Sequence, residues 1–325
     1  MKSALSLFFD VNSPRLSAVV SMVACIILAL SGIALGFLED SLAIRTNGLV
    51  AAIDVINSII LVAAINRSIR TPDYIFNYGY GKYESLGLLL SALLLLITFA
   101  FTAYQAVVDL YFGVIIKNYT LLIIFSVLSF VFMRFISVLQ SRRAKRFKMP
   151  MLEYDADMWK TDSIIELIVL IGLCAGWAFM HWKYKNTARF IDGVSALVLL
   201  LVAMRVPLKH GKEAINQLLD KTLPDEIQFD ILAVVAENIS SFCEFKSVHT
   251  RQSGKDIFVE IDVVMPFDFT FEQAYPMEKV MKEAIQQKYP TAITRIYAVP
   301  CPRDCIRNGV SYCPVKQALA NQQNA

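Results

Sequence analysis

Six apolar runs dominate this chain, at residues 16–37, 49–64, 86–111, 119–140, 164–179 and 190–206. Crossing the hydrocarbon core of a bilayer takes about 20 predominantly apolar residues. Such a segment must also satisfy its backbone polar groups internally, which leaves a helix or a closed barrel. The runs therefore predict a membrane all-α bundle of six transmembrane helices over residues 1–206. Composition agrees, with 56% hydrophobic and 18% charged residues, where a soluble domain is about a quarter charged. Lys2 and Arg15 precede a first run too long for a signal sequence, and no small-residue cleavage site follows it. The six cysteines are scattered, two of them in apolar runs, which does not describe a secreted disulfide framework.

Basic residues set the orientation. Arg142, Arg143, Lys145, Arg146 and Lys148 follow the fourth run, Arg67, Arg70 and Lys82 the second, and Lys209 and Lys212 the sixth. The other side offers Glu39, Asp40, Lys117, Lys183, Lys185 and Arg189. This places both termini in the cytoplasm and the chain in the cytoplasmic (inner) membrane as a multi-pass protein.

Two acids interrupt the apolar pattern. Asp54 lies within the second run and Asp162 opens the fifth. An ionisable group on a span is expensive unless it is paired, hydrated or bound to a cation. One on each of two spans points to a protein that moves or holds something positive. The ordinary alternative for each is an aspartate hydrogen-bonded to a neighbouring hydroxyl or amide for helix packing.

After Pro207 the character changes. Residues 207–224 read as an amphipathic linker. Residues 225–239 and 271–289 read as helices, and 247–251, 257–264 and 292–299 as strands. The order αββαβ over residues 225–300 makes a small cytoplasmic α+β domain, of ferredoxin-like or metallochaperone-like type. Residues 301–325 form a flexible, cysteine-containing tail.

The run Tyr78-Gly79-Tyr80-Gly81-Lys82-Tyr83-Glu84-Ser85 resembles the F-G-H-G-K-x-E-S loop of the cation diffusion facilitator family of metal exporters. Leu218-Leu219-Asp220-Lys221-Thr222-Leu223-Pro224-Asp225 resembles that family's L-L-D-x-x-L-P-D linker, and Thr250-Arg251-Gln252-Ser253-Gly254 its first tail hairpin. With six spans, a cytoplasmic αββαβ tail and acids on spans two and five, the chain is similar to a divergent bacterial member of that family.

The resemblance implies a metal site. The family's second span carries D-x-x-[HD]-x-x-x-D, and its fifth span repeats it. Here the positions are Asn47, Val50 and Asp54, then Asp155, Met158 and Asp162. The last aspartate of each pattern is kept, while the His or Asp four residues earlier is Val50 or Met158. Residues three, four or seven apart share a helix face, so Asn47 lies beside Asp54, and Asp155 beside Asp162, with Glu166 one turn on. The implied metal ligands are Asp54 and Asp162, joined by Asn47 and Asp155 and completed by water or carbonyls. This oxygen-rich set suits Mn²⁺ or Mg²⁺ better than a histidine-containing zinc site does, and leaves Zn²⁺ and Fe²⁺ open. Asn47, Asp155 and Asp157 read equally as interfacial residues or caps, and Glu166 as a partner of Lys160. Met158 reads as packing.

Other family features are altered. The cytoplasmic-loop acid and histidine seven residues apart become Asp73 and Tyr80, a poor metal pair. Lys246, Tyr275 and Tyr297 stand where relatives carry tail-domain histidines, and His249 reads as a surface residue. Cys243, Cys301, Cys305 and Cys313 could bind zinc or form a reduced-thiol tail. A charge interlock between Lys82 and Asp220 holds protomers together in the family; the alternative is a solvated lysine and a helix-ending aspartate.

The expected function is secondary-active efflux of divalent metal cations (zinc, manganese or iron class) in exchange for protons, by a homodimer in the lipid bilayer. The metal is substrate and no cofactor is needed. No phosphate-binding loop of the P-loop type occurs, no enzymatic activity is expected, and no nucleic acid partner is implied. The alternative is a transport-inactive paralogue that scaffolds or regulates another transporter through its cytoplasmic domain.

Overall fold

A computed structural model describes residues 13–38, 42–112, 119–181, 201 and 203–302. They divide into two compact units, the first ending at Leu218 and the second beginning at Leu219. The first contains α1 (Pro14–Leu38), α2 (Leu42–Ser68), α3 (Lys82–Phe112), α4 (Tyr119–Phe147), α5 (Pro150–His181) and α6 (Arg205–Leu218). The predicted sixth run lies largely outside the described residues.

The first five helices have 25 to 32 residues, or about 37–48 Å at 1.5 Å per residue, enough to cross a bilayer. Three stretches among the described residues, Pro14–Leu35, Lys82–Tyr104 and Thr120–Phe147, are apolar enough to do so on hydropathy alone. In α2 and α5 the apolar character is diluted by Asp54, Asn57 and Asn66 and by Asp155, Asp157, Asp162 and Glu166. Those two helices carry the polar cargo of the bundle.

Packing in this unit is inverted relative to a soluble protein. Large apolar side chains such as Ile27, Leu30, Ile97, Leu128 and Phe135 are exposed, whereas Ser17, Ser21, Ser58, Ser126 and Gln140 are buried. With lipid outside, helix association relies on small residues, close packing and hydrogen bonds between helices. Gln140 of α4 accepts a bond from Ser17 of α1 and returns one to the Ser17 carbonyl. Ser85 of α3 donates to Gln217 of α6 at 2.7 Å. Glu84, fully buried on α3, accepts from the Met151 N–H at 2.8 Å. It thereby caps the first turn of α5, which Pro150 opens.

Helix α6 (Arg205–Leu218) begins at the end of the expected sixth run and takes in much of the expected linker, residues 207–224, and it packs along α3. Pro207, His210, Gly211, Ala214 and Gln217 recur at helical spacing and are the buried face, so the amphipathic pattern records a docked helix rather than a connector. Gly87 of α3 meets α2 most closely: a methyl placed there would lie 2.4 Å from the Ala64 Cβ.

The second unit runs α7 (Asp225–Glu237), a 3₁₀ turn (Ile239–Ser241), β1 (Glu244–Ser253), β2 (Asp256–Met265), α8 (Phe271–Lys288) and β3 (Ala292–Pro300). β1 and β2 form an antiparallel hairpin closed at Gly254, whose φ of 60° suits a residue without Cβ. β3 returns parallel to β2 after α8, leaving β2 central in the order β1-β2-β3. Thr270 and Gln273 build a reciprocal capping box at the start of α8. The core joins Ile231 and Val235 of α7, Val259 and Ile261 of β2, and Met281 and Ile285 of α8.

The Gly87–Ala64 contact yields a direct prediction. Gly87→Ala should destabilise the purified protein by about 1–3 kcal/mol through overpacking, read as a lower melting temperature in detergent. Ala64→Gly in the same chain should restore most of the loss, whereas Gly32→Ala, where a methyl meets nothing within 4 Å, should be silent.

Candidate cation site

Asp54 sits on α2 and Asp162 on α5, both partly covered within the helical unit. Asp54, Asp155 and Glu166 all lie within Coulombic range of Asp162. Cys25 of α1 and Tyr154 of α5 are each within that range of all three aspartates. The acids therefore gather where α1, α2 and α5 meet. Asn47 and Val50 belong to α2, but their side chains lie outside the described residues. Met158 packs against an apolar cluster to which all six helices of the unit contribute, α2 and α5 most.

Asn57, three residues after Asp54 and so on the same face, was not singled out from sequence. Its Nδ2 donates to the Tyr154 hydroxyl at 3.3 Å and pins α2 to α5 one turn from Asp54. Ser58 donates to the Cys25 sulfur at 3.3 Å. Asp155 is 7% exposed. Its Oδ1 accepts from Ser21 at 2.7 Å, and Ser21 accepts from the Trp159 Nε1 at 2.7 Å. Asp155 thus ties α5 to α1.

Two acceptors remain without hydrogen-bond partners here: Asp155 Oδ2 and Asn57 Oδ1, both buried. An unmatched buried acceptor costs about 1–3 kcal/mol, and a cation, a water or a proton meets that demand. Beside two further carboxylates, this donor set is made of oxygens and suits a hard divalent ion. Among the described residues no group of three or more His, Cys, Asp or Glu side chains is disposed to hold a metal ion. Asn57 would have been reachable from sequence as a second polar residue on the Asp54 face; the Tyr154 hydroxyl carries no such signal.

Glu166 accepts a bond from Ser126 of α4 at 2.6 Å, which joins the α4–α5 seam; Lys160 is exposed and faces the basic end of α4. In the loop after α2, the Tyr80 hydroxyl donates to Asp73 Oδ2 at 2.6 Å while Oδ1 accepts from the N–H groups of Ile75 and Phe76. Those bonds, Tyr80 first, hold the Asp73 carboxyl below its usual range, and the Tyr80 hydroxyl is raised by the same contact. Both Asp73 oxygens are committed to shaping the loop.

Lys82 donates to the Leu218 carbonyl at 3.4 Å, and Asp220, with φ of 53°, pairs with Arg251 at 3.3 Å. In the second unit His249 is exposed and stands opposite Glu260 in the hairpin. The backbone N–H groups of Cys243 and Cys301 donate to the Val264 and Met265 carbonyls at one end of β2. Cys305 and Cys313 lie outside the described residues.

His210 of α6 is buried, with Nε2 3.0 Å from Asp157 Oδ2 and Nδ1 3.0 Å from Glu213 Oε2. The Tyr154 ring meets it edge-on at 5.5 Å, so Tyr154 touches Asn57 with its hydroxyl and His210 with its face or edge. Burial alone would lower the His210 pKa, and Lys209 adds to that, but the two carboxylates outweigh both and raise it.

A family model described as the cation efflux transmembrane domain matches residues 18–219, and one described as the cytoplasmic domain of cation efflux proteins matches residues 223–296. The cation-efflux pump FieF of Serratia proteamaculans is 26% identical over 259 residues, covering 77% of this chain and 80% of that protein. The manganese efflux system protein MneP of Bacillus subtilis is 19% identical over 282 residues, covering 85% and 92% respectively.

The raised His210 pKa fixes a sign. Its stabilising ion pairs are fully present below the unfolded value near 6.5 and fade as pH rises through the higher folded value. His210→Gln should therefore lower the melting temperature more at pH 6 than at pH 9. An equal loss at both pH values would show that the ring acts by packing alone.

Proposed function

The chain belongs to the cation diffusion facilitator family of membrane transporters, and on that premise we propose that it exports divalent metal ions from the cytoplasm across the inner membrane. Asp54 and Asp162 are the principal ligands, supported by Asp155 and Asn47. Asn57 contributes its unmatched oxygen from the Asp54 face. The observation that carries this reading is the mutual proximity of Asp54, Asp155 and Asp162, with Asp155 Oδ2 and the neighbouring Asn57 Oδ1 buried and unbonded.

An all-oxygen set favours harder ions. Mn²⁺ leads, in keeping with the manganese exporter among the relatives, with Fe²⁺ and Zn²⁺ as further substrates. Alternating access exposes the site first to the cytoplasm and then outside, by rocking spans against one another within a six-span bundle. The aspartates take up protons when the metal leaves, which couples export to inward proton flow. The protein acts as a homodimer, with Lys82 and Asp220 as the charges that interlock the protomers and both termini in the cytoplasm. One observation favours a second reading, a non-transporting scaffold: Met158, at a family ligand position, is committed to apolar packing.

Proteoliposome uptake across Mn²⁺, Fe²⁺, Zn²⁺, Co²⁺ and Mg²⁺, with and without a pH gradient, tests the proposal. Uptake should be strongest for Mn²⁺ and accelerated by the gradient. Asp54→Asn and Asp162→Asn should each reduce it at least about tenfold, since removing a ligand or its close support typically costs 10–100-fold; Asn57→Ala should weaken it less. Wild-type protein that moves none of the five ions would establish the scaffold.

A further inference from the structure

A pocket of about 240 Å³ opens on the seam between α4 and α5. Arg134, Ser137, Ser141, Arg142 and Lys145 line it from α4, and Lys160 closes it from α5. Positions 134, 137, 141, 142 and 145 fall on one helix face, so four cations and two hydroxyls converge on one small volume. No carboxylate among the described residues forms an ion pair with any of the four cations. Four exposed cations gathered with no carboxylate partner among these residues suit an anion.

Depth identifies the anion. Arg134 stands fifteen residues beyond the start of α4 at Tyr119, about 22 Å along the axis. Measured from Tyr119, a hydrocarbon core about 30 Å thick extends past it. The guanidinium therefore begins inside the apolar layer and extends toward the headgroups, as long basic side chains do. Along α4 toward the membrane interior, Leu128, Val131 and Phe135 are exposed, at 65%, 59% and 66%, and continue the pocket as an apolar track. A cationic, hydroxyl-bearing cup above an apolar track matches a phosphodiester headgroup with its acyl chains below. Arginine binds phosphate through paired N–H donors, and basic pockets between spans are suited to anionic headgroups.

We propose that this α4–α5 pocket binds the headgroup of an anionic phospholipid. The proposal rests on α4 spanning the bilayer and not on which ion is carried, so its test needs no transport.

The full-length protein in neutral detergent is titrated with phosphatidylglycerol, phosphatidylcholine or inorganic phosphate. Native mass spectrometry reads bound lipid, and a melting curve reads stabilisation. Phosphatidylglycerol should be retained and should raise the melting temperature, while phosphatidylcholine and phosphate do neither. Arg134→Gln with Arg142→Gln and Lys160→Gln should lose at least about tenfold in affinity, roughly the loss of one strong charge-assisted contact. The charge-preserving pair Arg134→Lys and Lys160→Arg should still bind, as should Arg146→Gln with Lys148→Gln, which removes two neighbouring charges that do not line the pocket. If the triple variant does not fold, Lys160→Gln alone, at an exposed side chain, should show reduced retention. Wild-type retention by the folded triple variant, an equal loss in the control, or equal stabilisation by inorganic phosphate would overturn the proposal.

Discussion

A bilayer offers no water to a polar side chain, so each polar group on a spanning helix must settle with another group inside the bundle. That constraint organises the first unit. Ser17 with Gln140, Ser21 with Asp155 and Trp159, Ser126 with Glu166, and Ser85 with Gln217 each join two helices, and each removes a polar atom from contact with lipid. The joints decide which faces meet, because apolar side chains gain nothing by choosing a neighbouring helix over a lipid tail. The matching is incomplete at Asp155 Oδ2 and Asn57 Oδ1, which are buried without a hydrogen-bond partner.

The helix ends obey a related rule. The first amides of a helix lack intrahelical partners, and Glu84 reaches from α3 to meet one of them at Met151. A carboxylate in the first turn of α3 thus meets the helix that carries Asp155 and Asp162, and the two helices are joined through a buried hydrogen bond.

Much of this was legible in the sequence because its signals are periodic. The apolar runs located the first five helices, and helical spacing and alternation located the elements of the second unit to within a few residues. β1 was read too short because a bulge between Phe245 and Ser247 interrupts the alternation that marks a strand. Residues 207–224 were read as a linker because an amphipathic helix docked on a neighbour looks, by composition, like any polar connector. Asp54 and Asp162 announce themselves as charges in apolar surroundings. Tyr154 does not, since its double role as acceptor for Asn57 and neighbour of His210 comes from tertiary placement alone.

At Gly87 and Ala64 two helices approach until there is no room for a single added methyl. A crevice that narrow admits neither a lipid tail nor a file of waters, and protons travel along such files. At that level α2 and α3 are in direct contact, with Met151 of α5 beside them. A membrane protein that carries carboxylates among its helices thus keeps lipid and water out of this one contact by the smallest side chain it owns.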